Sequence, residues 1–229
     1  VLSNFLTVQS TTSTNDLVRG YPVGTILKSL TQTNGRGRSG KHWLSPDGGI
    51  YFSFSLSIDK FHEYSGLESI LLGVALHNAL SQLTDSKLFL KWPNDLLDEE
   101  GKKLAGILIE KSDANTLIIG IGINLQSPDD FNQFAYFKPK QKIEQVFILQ
   151  LFFAVLDDFL SSKYDLISLW QNSSSLLPDD PLVLHFADQT SVQGYFVGIN
   201  RDGSIKIKTE NDEFKNFNTG VIYSLRKAK

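Results

Sequence analysis

Apolar residues recur along this chain with two different periods, and the switches between them mark out its elements. Over residues 51–58 the alternation is strict. Phe52, Phe54, Leu56 and Ile58 fall on one face, and Tyr51, Ser53, Ser55 and Ser57 on the other, which predicts a half-buried strand. Leu67, Ile70, Leu71, Val74 and Asn78 follow helical spacing instead and predict a helix over residues 65–83. Residues 6–9, 25–32, 88–91, 104–110 and 117–125 read as further strands, and 143–170 return to helical character. Ser13-Thr14-Asn15-Asp16 has the form of a helix N-cap with its acid three residues on. Near Pro178-Asp179-Asp180-Pro181 the chain shifts toward turns, and from residue 182 short alternating strands are separated by turns at Gly194, 200–203 and Asn211-Asp212, as in a small β-barrel. The pattern predicts an α+β domain over residues 1–177, a mixed sheet with helices, followed by a compact β domain over 178–229.

Composition narrows the function classes. Of 229 residues, 41% are hydrophobic and 21% charged, enough apolar material for a real core. The formal charge of -3 argues against a surface built to coat nucleic acid, while leaving room for a local positive pocket. With no cysteine there is no disulfide framework and no thiolate metal site or nucleophile, which fits a reducing, cytoplasmic setting. The absence of methionine has no physical account. Residues 1–9 carry no basic head or apolar run of signal-peptide length, and the most apolar stretch, 146–156, is too short to span a bilayer.

The candidate chemistry centres on Gly35-Arg36-Gly37-Arg38-Ser39-Gly40-Lys41-His42. Its glycines spell a dinucleotide fingerprint and nearly a Walker A loop, but both motifs open a helix, and here the chain runs on into a strand. What remains is physical. Glycines allow positive φ and let backbone N–H groups face an anion, while Arg36, Arg38 and Lys41 supply charge for carboxylate and phosphate oxygens. A flexible surface loop or an RNA contact is the competing reading. Lys91-Trp92-Pro93-Asn94-Asp95 by itself is a turn at a strand end, and residues 103–110 a core strand with a charged start. In residues 120–124, strand geometry places Gly120, Gly122 and Asn124 on one face. That face has room for a flat ligand, or equally for a crossing helix. The four histidines have no metal-ligand spacing, and no Ser-His-Asp order suggests a nucleophile.

Together, Ser13-Thr14-Asn15, Gln32 with the loop through Trp43, residues 91–95, 103–110 and 120–125 resemble the biotin–protein ligase family in order and spacing. The resemblance covers residues 13–125 and implies a core like that of class II aminoacyl-tRNA synthetases followed by an SH3-like barrel. It implies ATP-dependent activation of biotin to biotinyl-5′-AMP, then transfer to a lysine of a biotin carboxyl carrier protein of acetyl-CoA carboxylase or another carboxylase. Arg36, Arg38 and Lys103 would be catalytic. Ser13, Thr14, Asn15, Gln32, Gly35, Arg36, Trp43, Lys103, Gly106, Gly120 and Gly122 would serve biotin. Arg38, Lys41, Trp43, Asn94, Asp95, Asn124 and Arg226 would serve ATP or AMP, with Mg2+ entering on ATP and no dedicated metal motif. The short N-terminal stretch implies the form without a DNA-binding domain, hence no DNA partner. No membrane partner is expected, and the family includes monomers and homodimers. Residues 34–45 are expected to be mobile without biotin, because their cations repel one another. Lipoate or octanoate ligation, and a non-catalytic biotin- or RNA-binding module, are the alternatives.

Overall fold

The computed structural model describes residues 4–125 and 134–228, so part of the N-terminal stretch read for targeting signals, residues 1–3, lies outside it. In chain order come β1 (Asn4–Thr11), α1 (Thr14–Val18), β2 (Thr25–Gln32), β3 (Ile50–Ser57), α2 (Glu68–Ser81), β4 (Phe89–Lys91), β5 (Asp95–Leu97), β6 (Lys103–Lys111) and β7 (Thr116–Ile123). Two helices follow, α3 (Gln145–Ser161) and α4 (Leu166–Asn172). The seven strands form one mixed sheet in the order β1-β2-β3-β7-β6-β5-β4. β1 and β2 are parallel and α1 lies in the crossover between them, as a parallel pair requires.

The two faces of this sheet have different tasks. On one, Phe52 and Phe54 of β3 meet Phe152 and Phe153 of α3 edge-on, with ring centroids 5.1–6.2 Å apart. On the other, Val18 of α1 packs on Leu27 and Ile118. The half-buried reading of residues 51–58 is overturned, since Tyr51, Ser53 and Ser55 are as buried as the phenylalanines between them. Their face looks at α1 and a polar cavity rather than at water, so polarity there did not mean exposure.

α2 starts at Glu68, later than residue 65, because residues 58–64 wind as a tighter 3-10 helix and Gly66 takes a φ of +84°. The N-cap box expected at Ser13 is absent as well. Ser13 sits at the cap position without a side-chain bond, and the Asp16 carboxylate turns to Arg36 instead. On α2, His77 Nε2 lies 3.0 Å from the Leu88 carbonyl, and burial pushes the imidazole below its usual range against the opposing effect of that bond. The folded state thus favours neutral His77. Its contribution to stability is complete above the unfolded value of about 6.5 and is lost as pH falls through the lower folded value. Thermal melts between pH 7 and 5 should show a fall in stability that His77→Gln reduces; identical profiles would remove His77 as the cause.

The second sheet contains β8 (Pro181–Phe186), β9 (Ser191–Ile199), β10 (Ile205–Lys208), β11 (Phe214–Phe217) and β12 (Ile222–Lys227), all antiparallel in the order β11-β10-β9-β8-β12. This arrangement is consistent with an SH3-like domain. Its interior continues that of the larger sheet. Leu184, Phe196 and Ile207 join the same buried cluster as Phe52 and Leu71, and Trp92 Nε1 donates to Gly203 O at 3.0 Å. Among the described residues no helix is long and apolar enough to cross a membrane.

Candidate active site

On the α1 face lies a cavity of about 720 Å³, walled by α1, the glycine-rich loop, β6, β7, the 92–94 turn and β12. Every residue that the resemblance assigned lines it except two. Gly35 stands behind the wall, where the loop passes over itself. A Cβ there would lie 2.5 Å from Trp43 O and 2.8 Å from Ser45 Oγ, so its need is for space. Arg226 points outward from β12, exposed and beside the cavity rather than in it. The positive φ anticipated for the loop occurs at Gly40 (+73°) and at Ser39 (+54°), whereas Gly37 is extended. His42 also lines the cavity.

One end of the cavity is lined by hydrogen-bonding side chains, with Arg36 the charged residue beside them. Gln32 Oε1 accepts from Thr14 N at 2.8 Å and lies 3.0 Å from Thr14 Oγ1, and Gln32 Nε2 donates to Ser45 Oγ at 2.8 Å. Ser53, fully buried, lies 2.7 Å from Thr14 Oγ1 and 2.6 Å from Asn15 Oδ1. A hydroxyl has one proton. Every group is satisfied if Ser53 donates to Asn15 while Thr14 donates to Ser53, and Gln32 Oε1 keeps its bond from Thr14 N. Thr14 Oγ1 then retains lone pairs for a ligand N–H.

The other end is cationic. Arg38, Lys41, Lys91 and Lys103 line it, and Asp95 is the only carboxylate among the described lining residues. Lys103 Nζ lies 2.6 Å from Asp95 Oδ1 and 5.0 Å from the centre of the Trp43 ring. Burial lowers the pKa of Arg38, with Asp95 opposing. Burial also lowers Lys41 and Lys91, and in both the Lys103 charge adds to the effect. These groups are short of negative charge, so a polyanion would relieve both repulsion and desolvation. Among the described residues no group of three or more His, Asp or Glu could hold a metal alone.

Between the ends, β6 and β7 pair Gly106 with Gly122, giving a floor without side chains. A Cβ on Gly122 would lie 2.5 Å from Trp43 Cε2, and one on Gly106 2.9 Å from Trp43 Cζ3. The indole therefore lies on this floor, its Nε1 buried and without a hydrogen-bond partner. Gly120 faces Asn15 of α1 instead, as the crossing-helix alternative has it, while Gly122 faces the protein's own Trp43 ring. Asn124 donates from Nδ2 to Lys103 O and Ala135 O at 3.3 Å, tying β7 to the segment that brings Phe134 and Tyr136 into the wall. Asn94 Nδ2 donates to Ile107 O at 2.6 Å and fixes the turn before Asp95.

Sequence reasoning missed Lys91, Ser45, Ser53 and Tyr51 at the site. Tyr51 donates to Pro46 O at 2.8 Å, and burial pushes its hydroxyl pKa up. Sequence reasoning placed the small sheet's part at Arg226, whereas the contacts to the loop come from other residues: Arg38 donates to Thr219 O, and Lys41 donates to Tyr223 O at 3.1 Å and sits over the Tyr223 ring. Of the loop's cations Arg36 has carboxylate partners, whereas Arg38 and Lys41 bond backbone carbonyls and still repel one another. Arg36 pairs with Asp16 at 2.5 Å and with Glu110 at 3.0 Å, and these contacts raise its pKa, the Asp16 bond most.

The comparisons with known proteins agree in kind. A 116-residue segment is 37% identical to the bifunctional ligase/repressor BirA of Bacillus subtilis, covering 48% of this chain and 35% of that protein. A 105-residue segment is 34% identical to the biotin–[acetyl-CoA-carboxylase] ligase of Paracoccus denitrificans, covering 43% of each. The matches thus span less than half the length of these relatives. Among solved structures, the biotin protein ligase of Aquifex aeolicus in complex with biotin and ATP superposes with a TM-score of 0.84 at 29% identity, covering 99% of this chain and 100% of that one. The model of the biotin/lipoate A/B protein ligase family matches residues 4–124, more than half of the sequence, and the protein belongs to that family.

Proposed function

We propose that this chain activates biotin with ATP and transfers it to a lysine of a biotin carboxyl carrier protein. The observation that carries this reading is the division of one cavity into a hydrogen-bonding end and a lysine-rich cationic end across a glycine floor. A ureido ring suits the first end, because the Thr14 hydroxyl, held by Ser53 and Gln32, keeps lone pairs for a ligand N–H. An octanoyl tail or a dithiolane offers no N–H to that hydroxyl and forgoes about 0.5–1.5 kcal/mol for the hydrogen bond. ATP suits the second end, with Mg2+ carried on its phosphates.

In the first step a carboxylate oxygen of biotin attacks the α-phosphorus, the bond to pyrophosphate breaks, and biotinyl-5′-AMP forms. Two anions must meet, so charge compensation by Arg36, Arg38 and Lys103 is the main catalytic effect. Lys41 and Lys91 neutralise the departing pyrophosphate. In the second step the carrier lysine amine attacks the acyl carbon and AMP leaves; Asp95 is the carboxylate at hand to take the amine proton.

The test is ATP–pyrophosphate exchange by the purified chain with Mg2+ and, in turn, biotin, lipoate, octanoate or no acid. Exchange with biotin alone is expected. Exchange with lipoate or octanoate instead would move the substrate, and none with any acid from folded protein would leave a binding module.

A further inference from the structure

Glu110 closes the 103–110 stretch without a site role assigned to it, yet it is the most heavily bonded carboxylate near the cavity. Alternation along β6 puts Glu110 on the same face as Gly106 and Leu108, which line the cavity, and so at its rim beneath α1. Its carboxylate accepts from Asn15 Nδ2 at 2.8 Å, from Arg19 at 3.1 Å, and from Arg36 at 3.0 and 3.2 Å. Burial raises its pKa, but the Asn15 bond and the Arg36 and Arg19 charges outweigh this and hold it below the usual carboxylate range.

We propose that Glu110 is a positioning residue that fixes Arg36 and the Asn15 amide at the rim of the cavity's hydrogen-bonding end. This rests on the ligase reading above. With Nδ2 on Glu110 and Oδ1 on Ser53, the Asn15 amide has one orientation, and it lies against Gly120. Arg36 is gripped through both terminal nitrogens, by Asp16 and by Glu110. A guanidinium has five N–H donors, so some remain for a ligand carboxylate presented in a fixed plane. Asp16 touches only Arg36 among these groups and its side chain is 45% exposed against 28% for Glu110, so Glu110 is the anchor.

The test compares the full wild-type chain with Glu110→Gln, Glu110→Asp and Arg19→Gln in the exchange assay, alongside melting temperatures. Glu110→Gln should raise KM for biotin by about tenfold while leaving KM for ATP within about twofold. Glu110→Asp, which keeps the charge, should recover part of the loss. Arg19→Gln removes one ion pair outside the cavity and should leave both constants within about twofold. An unchanged KM for biotin in Glu110→Gln overturns the proposal. So does a parallel rise in both constants with a lowered melting temperature, which marks a merely structural role. Should the wild type show no exchange, the ligase reading fails first. The 15N side-chain resonances of Asn15 and Arg36 then decide separately: shifts in Glu110→Gln support the clamp, and unchanged spectra overturn it.

Discussion

Lys103→Met should lower kcat for biotin-dependent ATP–pyrophosphate exchange by on the order of 10²–10³, with a much smaller change in KM for biotin. Lys103 is the cation at the centre of the cavity, 2.6 Å from Asp95, beside the indole of Trp43 and against the Gly106 end of the floor. It thus stands between the polar end and the phosphate end, where the attacking carboxylate and the α-phosphate would share charge. Methionine keeps much of the side chain's length and apolar bulk, so its packing beside Trp43 survives and the charge alone is removed. It also strands Asp95 without its partner and adds a repulsive carboxylate to the path of an anion. Single-turnover formation of the adenylate measures the chemical step directly. A rate within a few-fold of wild type would place the transferring phosphate elsewhere and remove Lys103 from the catalytic set.

A larger effect on binding is expected from a single methyl group. Gly122→Ala places a Cβ 2.5 Å from Cε2 and 2.6 Å from Nε1 of Trp43, far inside contact distance. The indole cannot stay on the floor, and a flat ligand could not approach the backbone either. Overpacking of this kind costs about 1–3 kcal/mol, or roughly 5–150-fold in affinity. KM for biotin should rise by about that factor while ATP dependence changes less, because the cationic end is farther along the cavity. Gly20→Ala is the control, since its Cβ meets nothing nearer than 3.6 Å. Full biotin affinity in Gly122→Ala would mean that the ligand does not use this floor.

The strands and long helices were legible because alternation and helical spacing survive in a sheet with one apolar layer. Phe52 and Phe54 reported their face correctly, whereas the serines between them did not, because a buried polar cavity and a solvent face are written with the same residues. The loop was legible through its glycines and arginines, although Gly35 turned out to need space rather than a special φ. Lys91 could have been found, as the one charge closing an apolar run of three residues. Glu110 could not, since an acid ending a strand is ordinary until Asn15, Arg19 and Arg36 arrive from elsewhere in the chain. The contacts to Thr219 and Tyr223 left no trace because they use backbone carbonyls, which every residue possesses.

Those carbonyl contacts bear on when the cavity is completed as the chain leaves the ribosome. Arg38 and Lys41 are anchored by groups 181 and 182 residues farther along the chain, and residues 222–225 form part of the cavity wall. A nascent chain that has released every residue of the seven-stranded sheet still lacks that wall and the hydrogen-bond acceptors that hold its loop. Pairings this distant in sequence form late, after most of the loop-closure entropy has been overcome. The cavity is therefore not enclosed until residues 219–225 have left the ribosome, and under the proposed function an acyl-adenylate would have no sheltered place to form before then.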